Sequence, residues 1–141
     1  GAMIHDIGKI YLPAEILSRP GRLSDTEFAL IKTHAEVGRD IVREVEFPWP
    51  VAEMIYQHHE RLDGSGYPRG LKDAEIIPHA RVLAVADVVE AMAAHRPYRP
   101  ALGIEAALAE IRRGAGTQFD VEIVTATLEL FETDGYPLPA G

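Results

Sequence analysis

Six imidazole and carboxylate side chains stand where a metal ion could use them. His5 and Asp6 are adjacent near the start, His34 follows, His58 and His59 form a doublet, and Asp87 sits inside the apolar run RVLAVADVVEAM. A carboxylate in such a run is costly to bury unless it is paired or bound to metal. His34 lies three residues after Ile31 and four before Gly38, on the edge of an apolar helical stripe. Neighbouring residues of a helix point about 100° apart, so His58 and His59 should not pack into one groove but could face two neighbouring ions. The chain has no cysteine, which excludes disulfides and thiolate sites. A transition metal must therefore use imidazole and carboxylate, a set that suits iron, manganese, zinc or nickel. Each residue alone has a plainer account. His34 could be a core histidine, Asp87 a partner of Arg81, and His5-Asp6 a common dipeptide. Their joint occurrence on four separate helical segments points to one centre, of the kind that helical bundles assemble.

The elements that must position them read as helical throughout. Residues 3–8 look like a last helical turn. Pro13 opens a short helix, Ala14–Leu17, which Pro20-Gly21 ends. Ser24 and Glu27 match a capping box that starts a long helix to Glu44, with Phe28, Ile31, Ala35, Gly38, Val42 and Val45 at three- and four-residue steps. A helix over Val51–Glu60 carries the histidine doublet. Residues 61–77 hold three glycines without periodicity and read as a long ordered loop, a feature that is usually functional. Pro78 starts the most apolar helix, Ala80–Ala94, and Ile104–Arg113 forms another. Asp120 caps a last helix bearing Val121, Val124, Leu128 and Phe131. His79 and His95 read as surface residues.

The bulk properties set limits on function. At 141 residues the chain suits one domain. Its net charge of −8 argues against nucleic-acid binding through bulk electrostatics, so no DNA partner is expected. An anionic substrate would need a local cluster of cations or metals. No apolar run is long enough to span a membrane and no signal peptide is visible, which suits a cytoplasmic location. Gly1 and Ala2 read as an expression scar, leaving a domain over 3–133 and a loose tail over 134–141.

Six stretches, in this order, carry a resemblance: HDIGKI (5–10), HAEVG (34–38), HHERLDGSGYP (58–68), RVLAVADVVEAM (81–92), RPYRPA (96–101) and GTQFD (116–120). Together they resemble the HD-GYP family, a branch of the HD-domain metal phosphohydrolases. The resemblance implies an all-α helical bundle and a metal-dependent phosphodiesterase that opens cyclic di-GMP to pGpG, and onward to GMP. It implies two divalent ions, iron or manganese before zinc or nickel, and a third in chains with an upstream ligand. His5, Asp6, His34, His58, His59 and Asp87 fall on its metal-ligand positions, with Asp6 bridging two ions. A water activated between them attacks phosphorus. Lys9 falls on a catalytic lysine that reaches the scissile phosphate, and Arg96, Arg99 and Tyr67 on substrate-binding positions. The Gly66-Tyr67-Pro68 loop is implicated in contacts with diguanylate cyclases. Family members carry further core helix before HDIGK. Only Met3 and Ile4 precede His5 after the scar, so exposed apolar faces on the Ser24–Glu44 and Ala80–Ala94 helices, and a homo-oligomer covering them, are expected. Two other readings stay open: a catalytically weak binding module, and a phosphohydrolase for another nucleotide.

Overall fold

A computed structural model describes residues 1–18, 20–94 and 102–137. Two 3-10 turns, Ala2–Ile4 and Ile7–Tyr11, open the chain. Seven helices follow among the described residues: α1 Ala14–Leu17, α2 Asp25–Lys32, α3 His34–Val42, α4 Val51–Gln57, α5 Pro78–Ala93, α6 Ile104–Gly114 and α7 Val121–Glu132. A third 3-10 turn, Asp73–Glu75, lies in the loop before α5. No strand occurs among the described residues, as the all-helical reading requires.

Local chemistry starts these helices where the sequence places them. At α2 the Ser24 hydroxyl accepts the Glu27 N–H, and the Glu27 carboxylate accepts the Ser24 N–H at 2.8 Å, so two otherwise orphaned donors are satisfied reciprocally. Pro78 occupies the first turn of α5, where its missing N–H removes no helical bond. At α7 the Asp120 carboxylate accepts the Glu122 N–H at 3.0 Å.

Two boundaries differ from expectation. The helix expected over Ser24–Glu44 is broken at Thr33 and ends at Val42. Thr33 Oγ1 donates to the Leu30 carbonyl and His34 Nδ1 to the Ile31 carbonyl, both at 2.7 Å. Side chains that draw on ladder carbonyls bend helices. The helix expected to reach Glu60 stops at Gln57. His58 and His59 fall in the turn that the Glu60 N–H closes onto the Gln57 carbonyl at 2.9 Å. Past α7 the Tyr136 N–H donates to the Leu130 carbonyl at 3.1 Å and its ring meets Phe131 edge-on. Residues 138–141 lie outside the described residues.

Two apolar cores result. The first gathers Val42 of α3 with Val51 and Ile55 of α4, and Ile4 and Ile7 pack against it. The second gathers Val85 and Val89 of α5, Ala107, Leu108 and Ile111 of α6, Phe119, and Val124 of α7. Gly8 presses the second 3-10 turn onto α3. A Cβ there would stand 2.0 Å from the His34 carbonyl oxygen and 2.7 Å from the Gly38 nitrogen. Exposure of apolar side chains is split. α2 buries none of its residues, and Met3, Ile10 and Tyr11 are exposed. α5, expected to be open, instead packs Val85 and Val89 against α6 and α7, and its Leu83 and Ala84 are buried as well.

Arg81 ties the start of α5 to α7. Its guanidinium donates to Asp120 Oδ2 at 3.0 Å and to the Ile76 and Asp73 carbonyls. Burial pushes the Asp120 carboxyl up, but Arg81 and the Glu122 amide outweigh it and hold it below the usual carboxylate range. A depressed folded value means stabilisation that is fully present above the unfolded value and lost as pH falls through the folded one. Asp120→Asn keeps a capping oxygen and removes the charge. It is expected to lower stability by about 1 kcal/mol at pH 7, and the gap from the original chain should narrow in acid as pH falls below the usual carboxylate range. Thermal unfolding of both proteins at neutral pH and in acid measures this; a gap that persists in acid would mean the charge is not its source.

Candidate metal centre

The six residues that the sequence singles out come together. His5 and Asp6 lie between the first two 3-10 turns, His34 opens α3, the doublet follows α4, and Asp87 projects from the middle of α5. His34 Nε2 stands 3.5 Å from His58 Nε2 and 3.4 Å from Asp6 Oδ1, and His58 Nε2 is 4.0 Å from the same oxygen. Donor atoms of Asp6, His34, His58 and His59 all lie within 4.8 Å of one another. His5 Nε2 adjoins Asp87 Oδ1 at 3.3 Å and Asp6 Oδ2 at 3.5 Å, and His59 Nδ1 is 4.0 Å from Asp87 Oδ2. The rings of His58 and His59 are 3.9 Å apart. The doublet does share one site, with both residues in the turn that follows α4 and His58 still in a helical backbone conformation.

Backbone carbonyls set the tautomers. The Nδ1 atoms of His5, His34 and His58 face the carbonyl oxygens of Ala2, Ile31 and Ile55 at 2.5, 2.7 and 2.6 Å. A carbonyl only accepts, so each Nδ1 carries the proton; the neutral His34 and His58 rings turn their Nε2 lone pairs inward, whereas the Asp87 carboxylate beside His5 Nε2 raises that ring's affinity for a second proton. His34 and His58 are completely buried. Burial lowers the affinity of His34 for a second proton, and brings His58 down to about 4. His59 is likewise lowered, by burial and then by the His58 ring. Burial would raise Asp87, but His5 and the other imidazoles outweigh it and keep it ionised. The Nε2 lone pairs of His34 and His58 thus face Asp6 Oδ1 with no proton between them. His5 Nε2 and Asp6 Oδ1 are buried without any hydrogen-bond partner. Buried acceptors normally find donors, and what would satisfy all of these at once is a cation. The donor set fits a divalent metal, with carbonyls orienting the imidazoles from behind.

Around this centre Lys9 Nζ donates to Asp6 Oδ2 at 2.5 Å. The Tyr67 ring stacks on His59, with centroids 4.6 Å apart and planes 26° from parallel. Gly66 makes that placement possible, since a Cβ there would lie 2.4 Å from the His59 carbonyl oxygen and 2.5 Å from the Arg61 nitrogen. Arg96 and Arg99 lie outside the described residues. Asp87 does not pair with Arg81, which is committed to Asp120. His79 is exposed, as expected.

Sequence reasoning missed the supports of the loop. Glu60 is buried and accepts the Arg69 and Leu71 amides at 2.7 and 2.9 Å. Gln57 Oε1 accepts the Ile77 amide at 2.9 Å. Arg61 lies over the Phe119 ring and donates to the Glu60 carbonyl. Their one sequence signal is place: each lies within two residues of the histidine doublet.

A family model described as HD domain matches residues 1–123. The chain belongs to the HD-domain family. Its HD-GYP character is supported by relatives with curated names. It is 44% identical over 131 residues to a cyclic di-GMP phosphodiesterase of Thermotoga maritima, covering 92% of this chain and 36% of that protein. It is also 44% identical over 102 residues to the 3'3'-cGAMP-specific phosphodiesterase 1 of Vibrio cholerae, covering 72% and 24%. The HD-GYP chain thus spans 24–36% of the length of these two relatives. Among solved structures, a HDG"Y"P protein from Bdellovibrio bacteriovorus shares the HD-GYP fold at a TM-score of 0.70 and 20% identity, over 91% of this chain and 40% of that one. No helix among the described residues is long and apolar enough to cross a membrane.

Proposed function

We propose that this chain carries a metal-dependent phosphodiesterase that opens cyclic di-GMP to pGpG, and onward to GMP, within a domain over 3–133. The observation that carries the reading is the convergence of four imidazole rings on the Asp6 and Asp87 oxygens. The Thermotoga relative's name points to the substrate. The name of the Vibrio relative makes 3'3'-cGAMP the second substrate to test.

His5, Asp6, His34, His58, His59 and Asp87 would hold two divalent ions, iron or manganese first, with Asp6 shared between them. Bound there, the ions would supply Lewis acidity towards water and the phosphoryl oxygens. In the reaction water adds to phosphorus, the bond from phosphorus to one ribose oxygen breaks, and that oxygen leaves with a proton. Lys9, already beside Asp6, would bind the scissile phosphate as its charge grows. Tyr67 would border the nucleotide, and Arg96 and Arg99 would hold its phosphates or guanine. A cytoplasmic location, self-association through Met3, Ile10 and Tyr11, and a diguanylate cyclase contact at Gly66-Tyr67-Pro68 belong to the same reading. Exposure of those three apolar side chains supports the second of these.

Turnover of cyclic di-GMP by anaerobically purified protein, with elemental analysis of its metal, tests the proposal. Metal-loaded protein that leaves the nucleotide intact would defeat it. Lys9→Ala is expected to lower kcat by roughly a hundredfold while changing affinity far less, because an interaction that strengthens towards the transition state acts on rate. Equal losses in both parameters would remove Lys9 from that role.

A further inference from the structure

We propose that Lys32 is a second phosphate-binding residue, which takes the phosphodiester of a cyclic dinucleotide that is not being cleaved and so selects a doubly charged ring over a simple diester. The inference rests on the phosphodiesterase reading above.

Lys32 ends α2 and stands over two aromatic faces. Its Nζ is 4.7 Å from the Phe28 ring centroid and 5.6 Å from that of Tyr67. Tyr67 is stacked on His59 and meets His34 edge-on. One aromatic ring therefore separates this ammonium group from two donors of the centre. Other cations around the doublet are already engaged. Lys9 is bonded to Asp6, Arg39 to Asp40, and Arg81 to Asp120. Arg61 is bound to backbone carbonyls. No carboxylate among the described residues forms an ion pair with Lys32, and its neighbours are ring faces. Such contacts hold an ammonium in place without neutralising it, so it remains able to pair with an anion.

The fold gives Lys32 no other task. α2 buries none of its residues, and Phe28 is itself exposed. Yet the chain's net charge is −8, which repels an anionic nucleotide except where local cations reverse the field. A cyclic dinucleotide carries two phosphodiesters on one macrocycle. With one at the His and Asp donors, the other must lie at the rim of the site, and Lys32 supplies a cation on that rim. A substrate with a single phosphodiester occupies the centre and gains nothing from Lys32.

Lys32→Met and Lys32→Arg, in the metal-loaded chain, test this against cyclic di-GMP and against bis(p-nitrophenyl) phosphate, with cyclic di-GMP affinity measured separately by calorimetry. Lys32→Met is expected to weaken binding of cyclic di-GMP and raise its KM by about tenfold, the usual scale for one charged hydrogen bond. kcat, and hydrolysis of the artificial diester, should stay unchanged. Lys32→Arg should recover most of the lost affinity. Equal losses on both substrates, or unchanged affinity for cyclic di-GMP in Lys32→Met, would overturn the assignment while leaving the phosphodiesterase reading intact. An original chain that cleaves the artificial diester but does not bind cyclic di-GMP would overturn both.

Discussion

Asp6→Ala is expected to abolish phosphodiester hydrolysis, with a fall in rate of roughly a thousandfold or more, equivalent to about 4 kcal/mol of lost transition-state stabilisation. Asp6 is the residue through which the two halves of the donor set communicate. Its Oδ1 faces His34 and His58, while its Oδ2 faces His5 and Lys9. With alanine there, the neutral imidazoles lose the negative charge that would hold a divalent ion among them, and bound metal should fall with activity. Asp6 is about one-third exposed and lies in a turn outside the α-helices, so helical content should be nearly unchanged. Elemental analysis and circular dichroism of the variant check the two halves of the expectation. A variant that keeps its metal and its rate would remove Asp6 from the centre.

Gly8→Ala should damage the fold and the centre together. The added methyl carbon would stand 2.0 Å from the His34 carbonyl oxygen and 2.8 Å from the carbonyl carbon. Both are backbone atoms, which cannot turn aside as a flexible side chain would. The second 3-10 turn must then lift from α3, at a cost of about 3 kcal/mol, which for a domain of this size lowers Tm by roughly 10 °C. Asp6 lies two residues earlier and His34 belongs to the surface being pushed away, so their 3.4 Å approach would open. Thermal unfolding and metal content are the measurements. A variant with the original Tm would show that the turn can shift without strain, and one with lower Tm but full metal content would show that the centre does not depend on this contact.

The candidate site was readable in the sequence to the extent that its residues broke a pattern. Asp87 interrupts an apolar helix and His34 edges an apolar stripe, so each looked out of place where it stood. The doublet and the Gly66-Tyr67-Pro68 loop supplied order and spacing. Glu60 broke no pattern. It stands among other polar residues, and its importance comes from two amides, Arg69 and Leu71, that only the folded loop brings to it. The interruption at Thr33 was hidden for a related reason. Apolar periodicity continues through it, while its local causes are hydrogen bonds from Thr33 and His34 to carbonyls one turn back. The end of α4 at Gln57 was likewise invisible to periodicity. Nothing in the sequence marks Lys32, and its place over Phe28 and Tyr67 emerges only in the fold.

The centre lies between the two apolar cores. His5 is flanked by Ile4 and Ile7, which pack on the core of α3 and α4. Asp87 is flanked by Val85 and Val89, which belong to the core of α5, α6 and α7. An ion gripped from both sides would act as a rivet between two units that could otherwise open one at a time. Metal loading would then govern the cooperativity of unfolding as well as its midpoint. The loaded chain would exchange its protected amide hydrogens in a single global event, whereas the stripped chain would release those of one core before the other.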